Sequence, residues 1–325
     1  MESSIELLIV TVNYRTPRHV AACIDSLLAD REALPDFRMI IIDNASGDDS
    51  VDAIRQHIAS RQAQDHIELI AATENGGYAK GNNLAIRSAL ERGLEPRFIW
   101  FLNPDTRIHP GAGRALIDFL EQHEQAGMAG SRLEDEDGTP QISAFRFHNP
   151  ISEFTGAFQL GLLDRVFQQR LVPMPLADHP FRADWLAGAS MMMKARLIDD
   201  IGLMDESYFL YFEEVDYCHA AGRHGWQIWY VPDSRVYHAV GAATGISDHR
   251  KKAPRRPQYW FDSRRRFYLK NFGKAYALRC DLALLSGFAL WRLRRFVQRK
   301  PDLDPPHFLG DLWNNSVLTK GFTIQ

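Results

Sequence analysis

The chain has 325 residues, room for one large domain or two modest ones and for a sizeable buried core. Apolar residues make up 45% and charged residues 24%, with 22 Gly and 16 Pro, which excludes collagen-like and mainly disordered chains. A net charge of −3 hides a division: residues 246–325 carry 17 Lys and Arg against 6 Asp and Glu, leaving 21 against 35 in residues 1–245.

Taken in order, the first hundred residues alternate short apolar runs with longer amphipathic ones. Strands are expected at Leu7 to Val12, Arg38 to Ile42, His66 to Ile70 and Phe98 to Leu102, with helices around 20–28, 50–61 and 81–92. Continuous apolar strands separated by helices predict a mainly parallel sheet covered on both faces. Ligands bind such sheets beyond the carboxyl ends of the strands. Three polar motifs fall at such ends: Asn13-Tyr14, Asp43-Asn44 and Asn103-Pro104-Asp105.

Asp43 fits two roles equally: an acceptor for a ligand N–H or hydroxyl, or a plain strand-to-helix turn in which Ser46 or Asp48 caps the next helix. The run Asn75-Gly76-Gly77-Tyr78-Ala79-Lys80-Gly81-Asn82-Asn83 is a glycine-rich helix entry that matches neither the Walker pattern nor GxGxxG. Asp105, held beside Pro104 at a strand end, suits a hard divalent cation, and an unliganded Asn-Pro-Asp turn suits it too. From about 134 to 180 the pattern weakens and prolines gather, which reads as an excursion lining a cleft. Order resumes with an apolar run at 187–193, a helix at about 195–201 and a strand at about 226–231. Between them, Glu213-Glu214-Val215-Asp216 follows an aromatic segment, 208–212, that could raise a carboxylate toward general-base range. His238 follows the last strand and could join Asp105 at a cation, or serve as a structural hydrogen-bonder.

Cys23, Cys218 and Cys280 are too few and too far apart for a disulfide framework or a metal knuckle, and a reducing compartment is the simplest setting. No export signal opens the chain, and its best apolar stretch, Leu282 to Leu293, is broken by Arg292, so a transmembrane span is not expected. The basic end predicts an anionic partner: lipid headgroups, pyrophosphate lipids or nucleic acid.

In this order the motifs resemble the inverting family-2 glycosyltransferases of the GT-A fold, rhamnosyltransferase-like branch, over about residues 5–272. The strings that carry the resemblance are Ile9-Val10-Thr11-Val12-Asn13-Tyr14, Ile42-Asp43-Asn44-Ala45-Ser46, the Asn75–Asn83 loop, Phe101-Leu102-Asn103-Pro104-Asp105, Trp185-Leu186-Ala187-Gly188-Ala189, Phe212-Glu213-Glu214-Val215-Asp216-Tyr217 and His238. The resemblance implies an α/β chain with a mixed, mainly parallel Rossmann-like sheet flanked by helices and a helical basic C-terminal extension. It divides the chain into a catalytic domain, 1–245, with a nucleotide-sugar half to about 110 and an acceptor half from 111, and an extension, 246–325.

By the same resemblance the donor would meet Thr11, Asn13, Tyr14, Asp43, Asn75, Gly76, Lys80, Asn83, Asn103 and Asp105. Asp105 and His238 would hold Mg²⁺ or Mn²⁺, although Asn103 stands where the family's DxD motif has its first Asp. Glu214 would be the catalytic base with Glu213 in reserve, and Trp185, Gly188 and Asp216 would face the acceptor and sugar. The implied reaction moves rhamnose from dTDP-rhamnose to a hydroxyl of a glycan or lipid-linked acceptor in cell-surface polysaccharide assembly. A UDP-linked hexose or galactofuranose donor and a non-catalytic glycan binder are the alternatives. The implied setting is cytoplasmic, with the inner leaflet of the membrane as a candidate partner of the basic end; mixed Leu, Phe288, Trp291 and arginines over 282–295 suit an interfacial helix or a packed one. No nucleic-acid motif accompanies the charge.

Overall fold

A computed structural model describes residues 5–239 and 252–324. It opens with β1 (Leu7–Asn13), α1 (Pro17–Ala29), β2 (Phe37–Asp43), α2 (Ser50–Ser60), β3 (Ile67–Ala71), α3 (Gly77–Glu91) and β4 (Phe98–Leu102). Next come β5 (Thr106–Ile108), α4 (Ala112–Gln122), β6 (Ala126–Glu134), β7 (Ala144–Phe145), α5 (Pro150–Phe158) and α6 (Gly161–Val166). These are followed by β8 (Phe181–Ala183), β9 (Trp185–Leu186), β10 (Ser190–Lys194), α7 (Leu197–Ile201), α8 (Glu213–Arg223) and β11 (Gln227–His238). Four helices complete the described residues: α9 (Gln258–Phe272), α10 (Lys274–Val297), α11 (Phe308–Asn315) and α12 (Val317–Lys320). The elements form two compact units. One takes in the residues up to Phe145, Pro175–Phe209 and α8 to β11; the other takes in Arg146–Met174, Leu210–Phe212 and the C-terminal helices.

The first unit is built on one mixed sheet in the order β3-β2-β1-β4-β10-β6-β11-β5, with β8 also pairing β11. Strands β3, β2, β1, β4, β6 and β11 share a direction, and β10, β5 and β8 run against them. Strand β1 is buried at all seven positions. Its alternate side chains feed two cores: Leu7 and Ile9 pack with α1 and α2, whereas Leu8 and Val10 pack with α3 and α8. This is why the central strands read as unbroken apolar runs.

Strand β6 was not visible in the sequence, where Ala-Gly-Met-Ala-Gly-Ser has no β-branched residue. Close packing explains its small residues: a Cβ on Gly127 would lie 2.9 Å from the Trp226 Cβ, and one on Gly130 would lie 3.0 Å from both methyls of Leu186. Strand β11 runs on to His238 through a register shift between Val231 and Arg235, seven residues beyond the expected end.

In the second unit, part of the stretch read as an excursion is helical. Asn149 caps α5 with a full capping box through Ser152, and Pro150 occupies the first turn. Ala157 of α5 packs with Phe261, Leu284, Phe288, Trp291 and Leu312 from α9, α10 and α11. Beside this core, buried Arg264 bonds Glu153 at 3.1 Å and also bonds Asp281, while the Tyr268 hydroxyl donates to Glu153.

Candidate functional site

The parallel register sets Asn13, the last residue of β1, beside Asp43, the last of β2. Asn13 Nδ2 donates to Asp43 Oδ1 at 2.8 Å, and its Oδ1 accepts from the Thr16 backbone and hydroxyl, so Asn13 locks the exit of β1. Asp43 also accepts from the Ser46 amide and hydroxyl. Ser46 therefore closes the Asp43 turn and does not cap α2, whose entry has Asp48 Oδ1 accepting from the Ser50 amide. Thr11 donates to the Leu102 carbonyl at 2.8 Å, tying β1 to β4. Tyr14 is exposed just past this edge, with the Arg15 guanidinium 5.1 Å from its ring centre.

Asn44 holds the glycine loop. Its Nδ2 donates to Asn75 Oδ1 at 2.9 Å and to the Gly77 carbonyl at 3.1 Å, while its Oδ1 accepts from the Gly76 amide. Gly77 has φ +84°, and a Cβ there would lie 1.9 Å from the Phe209 carbonyl oxygen, so only glycine fits. A Cβ on Gly76 would meet the stem of Lys80, whose exposed ammonium pairs with Glu74. Asn83 is buried and bonds the Met204 backbone and Glu206, away from Asn75 and Gly76.

Tyr78 ties this loop to the Trp185-Leu186-Ala187-Gly188-Ala189 motif, its hydroxyl donating to the Gly188 carbonyl at 2.9 Å. Trp185 stacks on Phe145 at 4.1 Å across the β7–β9 pair. Burial pushes the Tyr78 hydroxyl up, and the charges of Glu213, Glu214 and Asp105 add to the rise.

Asp105 is buried after β4, and the His238 Nε2 lies 3.7 Å from its Oδ1. The antiparallel β5–β11 pairing sets His238 opposite Thr106 and brings this about. Gln141 pins His238, its Nε2 donating to the His238 carbonyl at 2.9 Å with its Oε1 3.2 Å from the ring Nδ1. Burial raises the Asp105 carboxyl against the pull of His238 and His19, and burial lowers His238. The Asn103 Oδ1 is enclosed and has no hydrogen-bond partner among the described residues. This oxygen-and-imidazole set fits a hard divalent cation that keeps substrate phosphates as further ligands. Among the described residues no group of three or more His, Cys, Asp and Glu converges, so a protein-only cage is not built here.

Glu213 and Glu214 open α8 directly after Tyr211 and Phe212, two bulky residues at φ +69° and +68°. Burial pushes Glu214 up to about 7; burial and then the Glu214 charge lift Glu213 well above the usual carboxyl range. The Oε2 atoms of both lack a protein partner among the described residues. Asp216, in contrast, is buried and accepts from the Tyr208 hydroxyl at 3.2 Å, one turn further along. Sequence reasoning gave no role to Asn44, Tyr78, Gln141 or His19; the first two lay inside quoted motifs, and the last two carried no signal.

Residues 6–257 match the family described as Glycosyltransferase like family 2. An N-acetylglucosaminyl-diphospho-decaprenol L-rhamnosyltransferase of Mycobacterium tuberculosis is 26% identical over 257 residues, 73% of this chain and 77% of that protein. The dTDP-rhamnosyl transferase RfbF of Shigella flexneri is 25% identical over 175 residues, 54% of this chain and 53% of RfbF. Among solved structures, GalNAc-T7 with UDP, GalNAc and Mn²⁺ aligns with a TM-score of 0.60 at 13% identity, covering 100% of this chain, which spans 59% of that longer one. That likeness carries the fold, the mixed GT-A sheet with flanking helices.

Proposed function

Because the chain belongs to glycosyltransferase family 2, we propose that it is an inverting rhamnosyltransferase taking dTDP-rhamnose as donor and a lipid-diphosphate-linked glycan as acceptor, in cell-surface polysaccharide assembly. The observation that carries the reading is the pair of glutamates opening α8: Glu213 is buried and Glu214 half-buried, and one carboxylate oxygen of each is enclosed without a hydrogen-bond partner among the described residues. Glu214, pushed up to about 7, takes the proton from an acceptor hydroxyl, with Glu213 as its neutral neighbour. That oxygen attacks the anomeric carbon as the bond to the nucleoside diphosphate breaks on the opposite face, giving inversion. Asp105 and His238 would hold a Mg²⁺ or Mn²⁺ that supplies neutralising charge to the departing diphosphate. The donor edge comprises Thr11, Asn13, Tyr14, Asp43, Asn75, Gly76, Lys80, Asn83 and Asn103, with Trp185, Gly188 and Asp216 on the acceptor side. In these two sets Asn13, Asp43 and Asn83 act through the loops they fix.

A panel of dTDP, UDP and GDP with and without Mn²⁺ tests the donor, since a ligand bound only by the folded chain raises its melting temperature. A shift with dTDP that requires Mn²⁺ is the expected result. A preference for UDP would keep the family and replace the sugar, and no shift with any nucleotide would overturn the enzymatic reading.

A further inference from the structure

Helix α10 is apolar on two opposite faces. Ala277, Cys280, Leu284, Gly287, Phe288 and Trp291 recur at helical spacing and are buried. The opposite side would be polar if it met only water. It carries Leu282, Leu290, Leu293, Phe296 and Val297 instead, and the last three are 61%, 82% and 71% exposed. Phe288 and Trp291, grouped with the arginines in the sequence, thus belong to the packed side, and a different set of residues faces out.

Exposed arginines accompany this outward stripe, Arg279 and Arg292 on α10 and Arg299 just past its end, whereas the Lys300 ammonium lies 5.6 Å from the ring centre of Trp291 on the packed side. The intervening Arg294 and Arg295 are turned to the protein, Arg294 donating to the Gln159 carbonyl and Arg295 pairing with Asp302 and Asp304. The Arg294 guanidinium also lies 4.9 Å from the Phe158 ring centre, at the end of α5 that leads into α6. There Leu162 and Val166, one turn apart, are exposed as well.

We propose that this stripe docks on an anionic lipid surface, with its apolar side chains at the acyl boundary and its bordering cations on headgroup phosphates. Charge selects that occupant over a second copy of the chain, because two copies of the stripe laid together would bring one set of arginines to another with no carboxylate on the stripe to offset them. The helix lies along the surface: among the described residues no helix is long and apolar enough to cross a membrane. The inference rests on this helical unit and stands without the sugar-transfer reading.

Sedimentation of the full chain with vesicles of equimolar phosphatidylcholine and phosphatidylglycerol, beside vesicles of phosphatidylcholine alone, tests it. The chain is expected to pellet with the anionic vesicles and to be released by salt. Leu293→Glu with Phe296→Glu should weaken binding at least about tenfold at an unchanged melting temperature, since both side chains are exposed. Arg292→Glu with Arg299→Glu should remove the preference for anionic vesicles, again without a change in melting. Failure to pellet, equal binding to both vesicle types, or equal binding by wild type and the apolar double variant would overturn the proposal. So would ultracentrifugation showing a dimer that Leu293→Glu with Phe296→Glu splits.

Discussion

Two adjacent enclosed carboxyls resist ionising together near neutrality, and the pair at the start of α8 is raised as a pair. Burial pushes Glu214 up to about 7, and burial with the Glu214 charge lifts Glu213 well above the usual carboxyl range. If Glu214 is the base, kcat rises with pH through an apparent pKa near 7 and then levels. Glu214→Gln should erase that limb and remove about 10²–10⁴ of the rate. Glu213→Gln should keep a limb near 7, because one neutral neighbour replaces another. Nucleotide release measured across pH for both variants decides it; full activity in Glu214→Gln would remove this residue from the mechanism. At this scale much of the candidate site was legible, because Asp43, Asp105 and the glutamates interrupt or follow apolar runs and so stand out as strand-end and helix-start residues. What was not legible is support. That Asn13 would be spent on Thr16 and Asp43, or that Gln141 would pin His238 from 97 residues away, depends on bonds that leave no spacing in the chain.

Among the elements, the entry of α3 shows how the same backbone angle can have two consequences. Gly77 and Gly93 both have positive φ, +84° and +74°, so an alanine at either is strained by about 1 kcal/mol. Around Gly93 a Cβ would meet nothing within 4 Å, whereas at Gly77 it would strike the Phe209 carbonyl. Gly77→Ala should therefore lose about 2–4 kcal/mol in urea unfolding and Gly93→Ala about 1, within the range of single substitutions with a named backbone cause. Equal losses would show that the loop shifts freely away from Phe209. Donor affinity should fall with Gly77→Ala alone, because Asn44 and Asn75 clamp the same turn. Strands β1 to β4 and their helices were readable for the reason the sheet is stable: each strand carries a run of apolar residues and each helix is apolar on one side. Strand β6 and helix α5 were not. The first is specified by the absence of side chains where Trp226 and Leu186 pack, and the second is nine residues long and opens on a proline, so its period does not stand out.

For the whole molecule, the sequence showed a basic end but not what it is built with. Segment 146–174 joins the C-terminal helices in one unit, and its cross-link is ionic: Glu153 meets Arg264, 111 residues away, in a buried cluster with Asp281, Tyr268 and His148. Burial alone would raise the Glu153 carboxyl, yet the Arg264 guanidinium, His148 and the Tyr268 hydroxyl outweigh it and hold the group down to about 2. In the unfolded chain the same carboxyl titrates near 4.5. Between those values the unfolded state binds more protons, so stability contributed by Glu153 is complete above about pH 4.5 and is lost as pH falls toward 2, on the order of 3 kcal/mol in all. Arg264→Met leaves Glu153 and Asp281 buried without their shared cation, which should cost about 3–5 kcal/mol at neutral pH. With the guanidinium gone, the Glu153 carboxyl also loses what held it down, so the fall in stability between about pH 4.5 and 2 should shrink in the variant even though it starts from a lower stability at neutral pH. Urea midpoints followed by tryptophan fluorescence from pH 7 to pH 2 measure both effects. Trp260, Trp291 and Trp313 report on the helical unit itself. Superimposable pH profiles for wild type and Arg264→Met would show that this cluster does not set the acid stability of the unit.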